Sequence, residues 1–132
     1  MLKIRRVGAA IPAQDMQRAR QFYEQKLGFK PVQEGSDGGV LYMFGETGFM
    51  LFPSVGKSSG DHTQMAIDVE NVDEAVRELK RAGVKLEEYD LPNFKTREGI
   101  MDMPDGEKGA WFKDTEGNLI GVGTLAPVPA RS

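Results

Sequence analysis

Gly109-Ala110-Trp111-Phe112-Lys113-Asp114-Thr115-Glu116-Gly117-Asn118-Leu119-Ile120-Gly121-Val122 decides how the whole chain is read. An apolar, aromatic run meets a polar cluster and a second apolar run follows, the pattern of two antiparallel strands joined by a tight turn. Gly117 and Asn118 both tolerate positive φ, which is the mechanism for the turn. Leu41-Tyr42-Met43-Phe44-Gly45-Glu46-Thr47-Gly48-Phe49-Met50-Leu51-Phe52 repeats the form earlier in the chain.

Working outward, the elements before each hairpin also match. Asp15 is an N-cap for a helix over 15–26, with Met16, Ala19, Phe22, Tyr23 and Leu27 at helical spacing and Gly28 as its C-cap. Asn71 with Glu74 reads as a capping box for a second helix over 72–82; Val72, Ala75, Val76 and Leu79 form its stripe and Gly83 its stop. A strand precedes each helix, Lys3 to Ile11 with Pro12 at its end or edge, and His62 to Val69, in which Ala66 and Ile67 mark the buried centre. A strand follows each helix, from Phe29 to Gln33 and from Val84 to Glu88, and a polar excursion over 90–107 separates the latter from the closing hairpin. The spacing therefore predicts an α+β fold of two βαβββ modules, 1–54 and 62–126, with a Gly/Ser-rich linker at 55–61 and a tail at 127–132. Packed side by side, such modules make one domain, a curved mixed sheet around a cleft with the helices outside.

Composition narrows the chemistry. The 132 residues carry 17 basic and 20 acidic side chains, a net charge of −3, so nothing points to nucleic acid or an anionic membrane. Without an apolar run of spanning length or a leader-like start, a cytoplasmic location is expected. The absence of cysteine removes disulfides, thiolate catalysis and sulfur-ligated zinc. A single histidine, His62, excludes any site needing two imidazoles from one chain. Asp102-Met103-Pro104-Asp105-Gly106 is a turn rather than a phosphate loop. Glu98, Asp102 and Glu107 are carboxylates on a solvated excursion, with nothing in the sequence to bring them together.

Asp15-Met16-Gln17-Arg18-Ala19-Arg20-Gln21-Phe22-Tyr23 with Leu27-Gly28-Phe29, Ile67 to Ala75, and Trp111 to Ile120 resemble the signatures of the vicinal oxygen chelate superfamily. That group contains glyoxalase I, extradiol dioxygenases, fosfomycin resistance enzymes and bleomycin resistance proteins. The resemblance implies the paired-module fold and, in metal-using members, ligands on the first strand, at the start of the fifth and in the last. Carried onto this chain, those positions are Gly8, Gln64 and Gly121, and glycine has no donor. No metal or cofactor is therefore expected. His62, Gln64, Tyr42, Met50 and Trp111 are the expected ligand-binding residues, because methionine and aromatic side chains on a concave sheet suit an apolar small molecule.

The reading is a small-molecule binding protein of the bleomycin-resistance type that forms a homodimer. Two alternatives stand beside it: a metal-dependent lyase, isomerase or dioxygenase using His62 and Gln64, and an interaction module whose cleft its own side chains fill.

Overall fold

The structure is a computed structural model that describes residues 1–124. The tail at 127–132 and the end of the second module lie outside the described residues. The chain divides into two compact units, Met1–Met65 with Lys113–Leu119, and Ala66–Phe112 with the residues from Ile120.

In the first unit β1 (Ala9–Ala13) leads into α1 (Met16–Gln21), and a π-helical turn over Phe22–Lys26 completes the helix. Three strands follow, β2 (Pro31–Glu34), β3 (Val40–Phe44) and β4 (Thr47–Pro53), in the spatial order β1-β4-β3-β2. β1 runs parallel to β4, while β4 and β3, and β3 and β2, are antiparallel. The Asp15 side chain accepts from the Arg18 amide at 3.0 Å, as an N-cap should, and Gly28 ends the helix at φ 74°. Gly45, at φ 64°, is the first residue of the two-residue turn between Phe44 and Thr47. β1 begins at Ala9 and not at Lys3: Ala9 pairs with Phe49, so earlier residues soon run past the end of β4 at the hairpin turn and have no strand to join. Pro12 stays inside β1, which is tolerated because β1 lies at the sheet edge. Alternate residues of the strands meet the helix, and Ile11, Val40, Tyr42, Phe49 and Leu51 are buried with Ala19, Phe22 and Tyr23. Tyr23 meets Phe22 edge-on at 5.4 Å and Phe49 at 5.3 Å, so the core of this unit is largely aromatic.

The second sheet repeats the plan. β5 (Thr63–Asp68) precedes α2 (Val72–Arg81); β6 (Asp90–Leu91), β7 (Phe94–Lys95), β8 (Ile100–Asp102), β9 (Lys108–Lys113) and β10 (Leu119–Gly123) follow. The order β5-β10-β9-β8 has the same form as the first sheet, and neither sheet closes into a barrel. Asn71 caps α2 by accepting from the Glu74 amide at 3.0 Å, and Gly83 stops it at φ 84°. Val72 and Val76 carry the buried stripe, with Leu86, Ala110, Phe112, Ile120 and Val122 among the other buried apolar residues of this unit. Ala66, expected at a buried strand centre, is exposed and Ile67 is half-buried.

The strand expected over 84–88 is not a continuous one. Leu86 bridges Phe112 and the Glu87 amide donates to the Trp111 carbonyl at 2.7 Å; the next partners of β9 are Ile100 on Ala110, Met101 on Gly109 and Asp102 on Lys108. The edge beside β9 therefore runs from 86 and 87 directly into 100, 101 and 102. Residues 88–99 are looped out as a small hairpin, Asp90 on Lys95 and Leu91 on Phe94, so the polar excursion holds structure of its own.

Candidate functional site: the open face of the first sheet

In β3, Val40 and Tyr42 point into the core, which sends Leu41 and Met43 to the opposite face. Met50 on β4, 45% exposed, and Ala10 on β1 share that face: Ala10 pairs with Met50, and Met50 with Leu41. These side chains floor a cleft of about 930 Å³ that also takes in Val7, Gly8 and Gly48. Its polar lining residues are Arg6, Gln33, Ser36, Glu46 and Asp37, the last in a turn where its carboxylate accepts from the Gly39 amide at 2.8 Å.

Of the five residues expected to bind ligand, only Met50 lines this cleft. Tyr42 is fully buried and donates its hydroxyl to Glu24 at 2.8 Å, because its position in the strand alternation turns it to the helix side. Burial and that bond push the Tyr42 hydroxyl up, and the Arg20 guanidinium, with Tyr42, holds Glu24 below its usual value despite burial. His62 is exposed at a bend before β5, outside the strand, and Gln64 is half-buried with its oxygen accepting from the Ser58 hydroxyl. Trp111 belongs to the second unit, where it packs against Phe94 and Tyr89. Leu41, which also lines the cleft, is not among the expected residues, although the two-residue alternation separating it from Tyr42 is a signal available in the sequence.

The resemblance implies metal ligands at three positions of this chain. Gly8, at the rim of the cleft, and Gly121, within β10, offer no donor, and Gln64 is committed to Ser58. Among the described residues no three His, Cys, Asp or Glu side chains come together. Glu98, Asp102 and Glu107 are all exposed.

The turn at 113–119 is a second concentration of polar groups, buried in the first unit. Asp114 and Asn118 close it by backbone bonds, and Gly117 adopts φ 84°. Asn118, expected to use positive φ, instead supplies a buried amide: it donates to the Pro12 carbonyl at 2.9 Å and to Asp114 at 2.8 Å. Asp114 also takes the Tyr23 hydroxyl at 2.6 Å, and burial followed by the neighbouring carboxylate pushes that hydroxyl far up. Glu116, 4% exposed, accepts from the amides of Gln14 and Asp15, both at 3.0 Å, from Thr115, and from Arg18 at 2.8 Å. Burial would raise its carboxyl, but Arg18, the Asp15 amide and Thr115 outweigh it and hold the group at about 2. The lone pairs of Glu116 are spent on the start of α1, which makes this cluster a lock on the fold.

Comparison with known proteins agrees with the architecture. The family model of the Glyoxalase/Bleomycin resistance protein/Dioxygenase superfamily matches residues 4–122, and the chain belongs to that superfamily. Among solved structures it is similar to UcmS2 (19% identity, TM-score 0.74, covering 94% of this chain and 100% of that one). It is also similar to a bleomycin-binding protein complexed with bleomycin (18%, 0.68, 93% and 100%) and to lactoylglutathione lyase from Agrobacterium tumefaciens (17%, 0.68, 91% and 92%). At these identities the likeness concerns the fold. No curated protein matches the chain by sequence. Among the described residues no helix is long and apolar enough to cross a membrane.

Proposed function

We propose that the protein binds an apolar small molecule on the open face of the first sheet, by shape and a few polar contacts, without a resident catalytic metal. The observation that carries this reading is the cleft floored by Ala10, Leu41, Met43 and Met50, with single polar groups at its margins. Methionine side chains adapt to irregular ligands, and the small Gly8, Ala10 and Gly48 leave the room. The similarity to a protein solved with bleomycin supports ligand binding as a use of this fold. A homodimer belongs to the same reading, because the exposed Met50 lies on a face that a second copy would cover.

The test is a thermal-shift screen of apolar small molecules and divalent metals on the wild type and on Ala10→Trp, which fills the cleft from an exposed position. A ligand at a hundred times its Kd should raise the wild-type Tm by about 10 °C and leave Ala10→Trp unmoved. A response that survives Ala10→Trp would refute the cleft, and a large rise with one metal, lost in His62→Ala and Gln64→Ala, would favour the metal-dependent enzyme.

A further inference from the structure

Sulfur chemistry in this chain belongs to methionine alone. The sequence holds seven methionines and no cysteine, so no thiol competes for an oxidant. Attack on a thioether needs the sulfur in contact with solvent, and exposure therefore ranks the seven. Met16, Met43, Met65, Met101 and Met103 are half-buried. Packing screens two of these further. A side chain at Gly48 would run into the Met43 sulfur at 2.5 Å, so that sulfur lies against the backbone of β4; one at Gly109 would meet the Met103 methyl at 2.9 Å, so that methyl is folded onto β9. Met1, 123% exposed, precedes the first strand. Met50, 45% exposed, is the methionine that is both exposed and held in a sheet.

The neighbours of Met50 leave its side chain open. Phe49 and Leu51 are buried, so the alternation turns Met50 away from the helix. Its register partners are Ala10 on β1 and Leu41 on β3, and the exposed Ala10 has only a methyl group with which to screen it. Gly48, two residues earlier and on the same face, adds no side chain. The same placement decides what oxidation does. A sulfoxide at Met50 sets a strong hydrogen-bond acceptor into a floor whose other members, Ala10, Leu41 and Met43, carry no side-chain donor. An apolar molecule laid over it strips the S=O group of water and returns no bond.

From this exposure and this placement we infer that Met50 is an oxidation site through which hydrogen peroxide closes the cleft to apolar ligands. The Met50 sulfur attacks one peroxide oxygen; the S–O bond forms as the O–O bond breaks, and the other oxygen departs, takes up a proton and leaves as water. The thioether is oxidised by two electrons to the sulfoxide, and the peroxide is reduced by the same pair. A thiol-driven methionine sulfoxide reductase removes the oxygen again as water. A ligand or a second copy seated on this face would shield the sulfur, so the chemistry belongs to the open chain. The inference rests on the cleft reading for its consequence, whereas the reactivity of Met50 does not.

The full chain, kept dilute, is treated with hydrogen peroxide, and peptide mapping by mass spectrometry follows each methionine. Met50 should react at about a third of the rate of Met1, the ratio of their exposures, and at least about fivefold faster than any half-buried methionine. Anilinonaphthalene sulfonate, which fluoresces on apolar surface, then reports the cleft before and after treatment. Its Kd should rise about tenfold in the wild type and recover after the reductase, with the far-UV circular dichroism unchanged. In Met50→Leu the Kd before and after peroxide should agree, while Met43→Leu should keep the wild-type ratio. The inference is overturned if the half-buried methionines react as fast as Met50, or if the Met50 sulfoxide leaves the Kd unmoved. It is equally overturned if Met50→Leu loses binding on treatment as the wild type does, or if the circular dichroism collapses with the binding. Failure of the cleft reading looks different: before any peroxide, the dye signal would be the same in the wild type and Ala10→Trp, with the oxidation map unaltered.

Discussion

Replacing Glu116 by Gln removes a buried charge on which the start of α1 depends. The carboxylate accepts from Gln14 N, Asp15 N and Arg18 Nη2 on one oxygen and from Arg18 Nε and Thr115 Oγ1 on the other. An amide keeps one acceptor and turns its NH2 toward donors, so Arg18 Nε–H, or the two main-chain amides, would face another N–H. The cost follows from linkage: a carboxyl lowered from 4.5 to about 2 on folding contributes about 3 kcal/mol when fully ionised. Loss of charged hydrogen bonds gives a similar figure, about 1.5–3 kcal/mol each before relaxation of the half-exposed Arg18. Because the folded value is the lower one, this stability is present above pH 4.5 and disappears as pH falls toward 2. Urea unfolding followed by far-UV circular dichroism, for both proteins from pH 7 to 2.5, isolates the effect, since other carboxylates cancel in the difference. The wild type should lead by about 3 kcal/mol at pH 7, and the gap should narrow steadily below pH 4.5. Parallel curves, or a gap under about 0.5 kcal/mol at pH 7, the level of an ordinary surface substitution, would refute the lock.

Gly99→Ala combines φ 85° with a methyl 2.7 Å from the Leu86 Cβ, and neither carbon can rotate away. It should cost about 2–4 kcal/mol in urea unfolding, whereas Gly106→Ala, with a similar φ of 89° and open space around it, should cost about 1–2 kcal/mol. Asn71→Ala removes the bond to the Glu74 amide and should cost about 1 kcal/mol, with Asn71→Asp restoring most of it.

The paired helices were legible because caps and stops are local chemistry. Asp15 and Asn71 bond amides three residues on, and Gly28 and Gly83 take a backbone conformation that other residues resist. The hairpins were legible for the same reason, since a tight turn between apolar runs already states which strands are neighbours. The split edge beside β9 was not, because which of two short segments pairs with a strand depends on where the chain returns.

By itself, then, the sequence determined two matched βαβββ modules, their caps and the absence of donors at Gly8 and Gly121, all properties of neighbouring residues or of residue type. Tertiary structure decided the rest. Tyr42 became core and Leu41 the cleft floor, because a strand faces two ways and only its helix says which way is inside. Asp114, Glu116 and Asn118 became a lock on Pro12 to Tyr23, because their hydrogen-bond partners lie about a hundred residues earlier in the chain. Hydrogen bonds at that separation leave no periodicity to read, and only folding brings their two ends together.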